Sequence, residues 1–429
     1  MNNKRQSMTA TEALERIADK SMSGSEYLAS CFDRIHQREG KVQAWESLAD
    51  TQGGLPGGGL LQNIPVGIKD IYDTRDFPTS WGTGYIRSDR SVSDASPVAL
   101  LKNAGAFVMG KTVSTEFAYF SPGKTRNPYD LDRTPGGSSS GSAAAVADGM
   151  VPIALGTQTA GSITRPASYC NVIGFKPTYG LISRAGIRPF SETLDTVGYF
   201  ARSVNDIALV HAALTYQPHA PLTRLDLAGL KIGVLRVPAD GDLDQDVEAA
   251  LGRTCQRLSA EGAEITSSLS HARELDRLVE LQTLVMAFES SRCLADIYFQ
   301  HVDDMSDKLR EILERGFAIT LDEYCGALQE AKRLQHSVAT LFTEVDLLLS
   351  PSSVNVAPLA SGISTGDPLY SRAWTLLGLP TISLPIESGH QGMPVGMQFI
   401  APRYRDSVLL KYSHELLSRL ETYPGTLDE

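Results

Sequence analysis

At 429 residues, 42% hydrophobic and 21% charged, the chain has the composition of a globular protein with a large core, which excludes disordered and low-complexity classes. Lys and Arg number 39 against 50 Asp and Glu, a net charge of −11, so the overall field repels nucleic acid and anionic membrane; the expected partner is a small molecule. The cysteines Cys31, Cys170, Cys255, Cys293 and Cys325 form no CxxC pair, which argues against a disulfide framework or a thiolate metal site. With no apolar signal core in MNNKRQSMTATEALERIADK and no run of membrane-spanning length, a reducing cytoplasmic setting is expected, with no membrane partner.

In chain order, residues 9–39 carry two amphipathic helical patterns, TATEALERIADK and GSEYLASCFDRIHQRE, before the Gly/Pro-rich stretch TQGGLPGGGLLQN. Residues 1–60 therefore read as a helical lead-in and loop, not a domain. From Ile64, short apolar runs alternate with helical patterns: IPVGIKDI, then SPVALLKNAG with Ser96 as cap and Pro97 at the first helical position, then AFVMG. An Ala-rich helix pattern at SAAAVADG precedes a strand pattern at Val151–Leu155. Such alternation predicts a mixed α/β layer architecture.

Between about 225 and 345 the texture changes to one strand candidate, LKIGVLR, followed by long polar helices such as LDEYCGALQEAKRLQHSVATLF, read as a helical insertion or cap. Strand patterns return at VDLLLSP, PTISLPI and VGMQFIAP, and a helix closes the chain from Ser407 to Leu420. These late strands cannot make a core alone. They are expected to rejoin the first sheet, so that residues 61–429 form one domain interrupted over 225–345.

Three motif matches conflict with their context. GAFVMGKT, Gly105–Thr112, fits the phosphate-loop pattern, but its intervening residues are apolar and strand-like, so Lys111 reads as structural. GSSSG places Ser139 as an elbow nucleophile, yet a polar loop with two prolines precedes it where a buried strand is needed. Ser121 and Lys124 match SxxK, but Pro122 and Gly123 between them oppose the required helix.

A fourth constellation spans three segments: Lys69 in IPVGIKD, Ser138 in PGGSSSGS and Ser162 in GTQTAGSITRPAS. With 24 residues between the serines and GFKPTYGLISRAG downstream, these segments resemble the amidase signature family, closely from Ile64 to Arg184 and loosely beyond. Within it they are most similar to small bacterial amidases of the malonamidase type, which share GGSSSGSAAAV and a late STGDP run, here Ser364–Pro368. The resemblance implies a mixed central β-sheet flanked by helices on both faces, with Ser162 as nucleophile, Ser138 as a bridging serine on a cis peptide, and Lys69 as base. It further implies an oxyanion hole from the N–H groups of Thr159, Ala160, Gly161 and Ser162. Gly82, Thr83, Gly84, Phe117 and Tyr119 are implied to line the pocket, and Ser139 to support the substrate site by hydrogen bonding. The chain departs from many members at Gln158, where they carry Asp, and at Ala160, where they carry Gly.

Elementary chemistry bears on these roles. A serine hydroxyl needs a base to become nucleophilic, and none of the eight histidines lies in or beside either serine cluster. Lysine, ordinarily near pKa ~10.4, must be desolvated to serve near neutrality. The apolar IPVGI preceding Lys69 supplies that setting, whereas Asp70, if close in space, would keep the ammonium charged. Taken alone, Lys69 reads as a surface lysine and Ser138 as a helix cap; the three segments together reverse that weighting. Arg165, three residues after Ser162, reads either as a clamp for a substrate carboxylate or as a structural partner of loop carbonyls.

The expected activity is hydrolysis of a small-molecule amide through a Ser162 acyl-enzyme, without metal or cofactor. Alternatives are the glutaminase subunit of a tRNA-dependent amidotransferase and a carbamate or ureido hydrolase. A nucleotide-binding protein and a catalytically silent binder are further alternatives. A homodimer is the default expectation.

Overall fold

The computed structural model describes residues 8–50, 57–238, 241–270, 275–362, 364–389 and 392–420. Residues 51–56 of the expected Gly-rich loop lie outside them. The strands are β1 (Trp45–Leu48), β2 (Pro65–Lys69), β3 (Phe107–Thr112), β4 (Ile153–Gln158), β5 (Ile173–Lys176), β6 (Thr196–Ala201), β7 (Lys231–Val234), β8 (Glu264–Thr266), β9 (Leu347–Pro351), β10 (Thr381–Ser388) and β11 (Pro394–Ile400). They join in one eleven-stranded sheet ordered β1-β3-β2-β4-β6-β5-β10-β11-β9-β7-β8. The sheet is mixed: β3, β2 and β4 run parallel, as do β9, β7 and β8, while the strands between are antiparallel.

Helices α1 (Ala10–Ala18), α2 (Gly24–Val42), α3 (Ser96–Asn103), α4 (Ser140–Ala147), α5 (Thr164–Tyr169), α6 (Val204–Thr215) and α7 (Gln245–Ala260) are followed by α8 (Arg277–Cys293), α9 (Ala295–His301), α10 (Asp307–Ala318), α11 (Leu321–Glu344), α12 (Leu369–Leu376) and α13 (Asp406–Leu420). Helix α4 is buried on every side, as its composition SGSAAAVA predicts, and packs beneath β2, β3 and β4. Gly141 within it is required: a Cβ there would lie 2.2 Å from Ala44 O and 2.4 Å from Val113 N. The α3 boundary differs from expectation, because Ala95 is the cap and Ser96 already lies inside the helix.

Two expected divisions are corrected. The lead-in is part of the main body: β1 pairs with β3, and Tyr27, Phe32 and Ile35 of α2 join the sheet's core. The Asp206 carboxylate on α6 accepts from the N–H groups of Ala10 and Thr11, both at 2.9 Å, and so caps α1 from 196 residues away. The insertion opens with the strand expected at LKIGVLR, here β7, and adds an unexpected one: β7, α7 and β8 make a crossover that extends the sheet edge, and only the segment from α8 to α11 builds a helical cap, whose apolar side chains cluster with Leu348, Trp374 and Ile400 of the main body. The returning strands β9, β10 and β11 rejoin the first sheet as expected.

Candidate active site

Lys69 closes β2 at the carboxyl end of the parallel trio β3-β2-β4, where a crevice opens in sheets of this kind. Its side chain is fully buried, with Nζ 2.7 Å from Ser138 Oγ and 3.0 Å from Thr157 Oγ1 on β4. Ser138 follows a cis peptide from Gly137 and lies just before α4, its carbonyl accepting from Thr115 N–H at 3.1 Å. Burial lowers the Lys69 amine to about 7, against the opposing pull of the nearby Asp195 carboxylate. Asp70 is not the competing charge that adjacency suggests. Its carboxylate turns the other way, pairing with buried Lys111 at 3.0 Å and accepting from Ser80 N–H at 3.0 Å.

Burial alone does not mark the base. Lys176 is equally enclosed and is also lowered to about 7 by desolvation, yet its amine meets only the carbonyls of Leu379 and Pro177. The hydroxyl contact distinguishes Lys69. The rejected motifs separate in space: Lys111 sits on β3 and donates to Tyr72 O and Thr79 Oγ1, Ser121 bonds Ser306, and Lys124 pairs with Glu46 at 3.1 Å.

Ser162 lies on the turn between β4 and α5. That turn is folded by Gln158, whose side-chain oxygen accepts from the N–H groups of Ile163 at 2.9 Å and Thr164 at 3.1 Å. Three successive carbonyls are held from outside the turn: Thr159 O by Gln282 Nε2 at 3.0 Å, Ala160 O by Thr375 Oγ1 at 2.7 Å, and Gly161 O by Arg165 N–H at 3.0 Å. In a trans peptide the N–H points opposite to its carbonyl, so the N–H groups of Ala160, Gly161 and Ser162 face away from those anchors. None of the three meets an acceptor among the described residues. Thr159 also donates its hydroxyl to the buried Asp195 carboxylate at 2.6 Å.

Ser138 and Ser162 line one narrow cleft with Thr159, Ala160, Tyr119 and Arg165. No hydrogen bond joins the two serines, and the Ser162 hydroxyl is open to the cleft. Arg165 is buried, with Nη2 donating to Gly137 O and, at 3.4 Å, to Thr365 Oγ1 of the STGDP run. Its Nε and Nη1 are buried without a protein partner, and the guanidinium lies 5.3 Å from the Phe120 ring centre. Burial lowers its pKa to about 10, which leaves it charged at neutral pH. One nitrogen thus anchors a loop carbonyl, and the other two have no partner among the described residues.

Several residues expected at the pocket lie behind it. Ser139 Oγ bonds the Thr157 backbone at 3.3 Å and braces β4 instead of facing the cleft. Phe117 stacks on Trp81 with ring centres 6.3 Å apart. Gly82, at φ +70, packs so tightly on the Ser114 and Thr115 carbonyls that a Cβ would meet them within 2.5 Å. Thr83 closes its own turn onto Ile86, and neither it nor Gly84 borders the cleft. These positions shape the loop beside the site because backbone packing, not side-chain reach, uses them. Conversely, sequence reasoning passed over Thr157, Asp195, Gln282, Thr365 and Thr375. Gln282 and Glu289 of α8 carried a signal, since polar residues seven apart share the face that also buries Leu278 and Val285.

Comparison with known proteins places the chain in a family. The Amidase family model matches residues 32–410. Among curated relatives, a glutamyl-tRNA(Gln) amidotransferase subunit from Carboxydothermus hydrogenoformans is 32% identical over 95% of this chain and 96% of its own. A solved amidase, 29% identical, superposes with a TM-score of 0.87 over 96% of this chain and 100% of its own. A chain from a vestigial complex tied to the origins of an s-triazine catabolic enzyme, 26% identical, gives 0.86 over 98% and 100%. On that end-to-end match, the chain belongs to the amidase signature family, whose enzymes act on carbon–nitrogen bonds.

Proposed function

We propose that the chain hydrolyses the amide bond of a small, carboxylate-bearing substrate through a covalent Ser162 ester. The observation that carries this reading is the 2.7 Å contact between the buried, readily deprotonated Lys69 amine and Ser138, on the wall of the cleft that holds Ser162. In the proposed cycle Ser138 gives its proton to Lys69 and takes one from Ser162, whose oxygen attacks the carbonyl. Rotation of the Ser162 side chain closes the missing link when substrate binds, as catalytic hydrogen bonds often tighten only in the complex. The N–H groups of Ala160, Gly161 and Ser162 stabilise the oxyanion. The leaving amine is protonated back through Ser138, and water then releases the acid by the same route.

Arg165 supports the acidic substrate class, because a charged guanidinium bordering the cleft keeps two buried donors without a partner among the described residues, a deficit that a carboxylate would fill. Hydrolysis of malonamate-type amides is expected to fall on the order of 10²-fold or more in Arg165→Ala, with neutral amides far less affected. Equal losses on both classes refute the clamp. Gln282→Leu is expected to lower kcat about tenfold or more with KM little changed, since it releases the Thr159 carbonyl and so the Ala160 N–H. A KM effect alone contradicts that positioning role. A cytoplasmic setting belongs to the same reading, supported by free cysteines at all five positions.

A second reading has a specific observation in its favour. Curated relatives matched over 90–97% of this chain, at 28–32% identity, are named as the same glutamyl-tRNA(Gln) amidotransferase subunit. These names favour a protein that hydrolyses glutamine and passes ammonia to a partner, and they weaken the expectation of no nucleic-acid involvement drawn from charge. Against it stands QTAGSITRP, where that subunit type generally carries DTGGSIRQP. Turnover of free amide by the isolated chain supports the first reading. Activity on glutamine alone, dependent on added partner proteins, supports the second.

A further inference from the structure

The space around the nucleophile is lopsided. The cleft shared by Ser138, Ser162 and Arg165 has a volume of about 10 Å³, room for little more than one water. Beside it lies a cavity of about 470 Å³ at the carboxyl ends of β2 and β4. The two share Ala118, Thr159 and Phe190 as a common wall, and Arg165 borders only the narrow side.

We infer that the large cavity receives the leaving amine, so that the preferred substrate is an N-substituted amide with a short carboxylate-bearing acyl group and a bulky amine. This rests on the hydrolytic reading above. Chemistry sets the direction: when the C–N bond breaks, the nitrogen takes its proton from Ser138, the partner of Lys69, while the acyl carbon stays on Ser162 oxygen. The amine nitrogen is therefore released at Ser138 in the narrow cleft, and the side toward Lys69 leads over the shared wall of Ala118 and Thr159 into the large cavity. Thr157, the other hydroxyl held by Lys69 at 3.0 Å, is part of the large cavity's wall. The carboxylate end, held at Arg165, has only the narrow side. An apolar cavity of about 150 Å³ already accommodates benzene, so ammonia would leave most of this space unfilled. The wall mixes Ile71, Val197 and Phe190 with the carboxylates of Asp195 and Glu192, which suits an amine with an apolar body that becomes cationic on release. The arginines there are already paired: Arg184 binds Glu192 of the same wall, at 2.7 Å to its carbonyl and 3.4 Å to its carboxylate, and Arg188 binds Asp296 at 2.6 Å, which leaves Asp195 as the carboxylate without an arginine partner in that wall.

The test compares malonamic acid with N-benzylmalonamic acid on the full chain, with sulfonyl fluoride labelling of Ser162 in parallel. Expected is a kcat/KM at least about tenfold higher for the benzyl amide, and a ratio that falls toward one in Ala185→Trp, which fills the cavity wall. A primary amide hydrolysed as fast or faster, or a ratio unmoved by Ala185→Trp, overturns the inference and leaves amide hydrolysis standing. Labelling of Ser162 without turnover of either compound overturns this substrate class and keeps the nucleophile. Neither labelling nor turnover removes the hydrolytic reading and the inference together.

Discussion

Ser162→Ala is expected to reduce kcat/KM by about 10⁴- to 10⁶-fold and to abolish labelling by a sulfonyl fluoride, while the protein stays folded. The size follows from the role: without the oxygen that bonds to the acyl carbon, only the oxyanion donors and substrate positioning remain, and these alone support a small residual rate. Stability is expected to be nearly unchanged, within about 0.5 kcal/mol, because the Ser162 hydroxyl has no hydrogen-bond partner among the described residues for the substitution to orphan. Thermal denaturation beside the activity measurement separates the two effects. Full turnover in a folded Ser162→Ala protein refutes the acyl-enzyme.

Lys69→Met is expected to cost on the order of 10⁴-fold, and Lys69→Arg nearly as much, because a guanidinium keeps its charge and cannot accept a proton. The wild-type pH profile carries the same information. Burial lowers the Lys69 amine from its ordinary value to about 7, so the active neutral form accumulates as pH rises. The sign is therefore fixed: kcat/KM climbs with pH through about 7 and levels off above it. Asp195 opposes the shift, since its negative charge favours the ammonium, so Asp195→Asn is the variant that pushes the rising limb to lower pH. Thr159 loses a charged acceptor in that variant as well, so the informative readout is the position of the limb, not the plateau rate. A profile flat between about pH 6 and 8 contradicts a lysine base of this pKa.

Local signals in the chain marked much of this site. A lysine ending an apolar strand and two serines on Gly-rich turns are adjacent-residue features, and the turn chemistry that makes them recognisable acts over a few residues. The strand reading of AFVMG, residues 106–110, which removed Lys111 from any phosphate loop, followed from four apolar residues between two turns and agrees with β3, which runs on through Thr112. What escaped were partners chosen over long separations. Asp70 looked like a threat to a neutral Lys69 because the two are neighbours in sequence, but successive residues of an extended chain point to opposite sides. The side chain of Asp70 thus reached Lys111, and that of Lys69 reached Ser138. Of the β7–α7–β8 crossover, β7 was legible in LKIGVLR, whereas β8 escaped because it is three residues long, half-exposed and carries almost no apolar pattern.

The amino-acid sequence by itself determined the chemistry available: an apolar-flanked lysine, two serines on glycine-dense turns, an arginine nearby and no histidine within either cluster. Only the tertiary structure decided how that chemistry is tuned. Complete burial lowers the Lys69 amine to about 7, and the turn carrying the proposed oxyanion donors is held by Gln282 and Thr375, which lie 123 and 215 residues from the carbonyls they bind. Desolvation and remote hydrogen bonds are properties of packed surfaces, and no window of consecutive residues contains them.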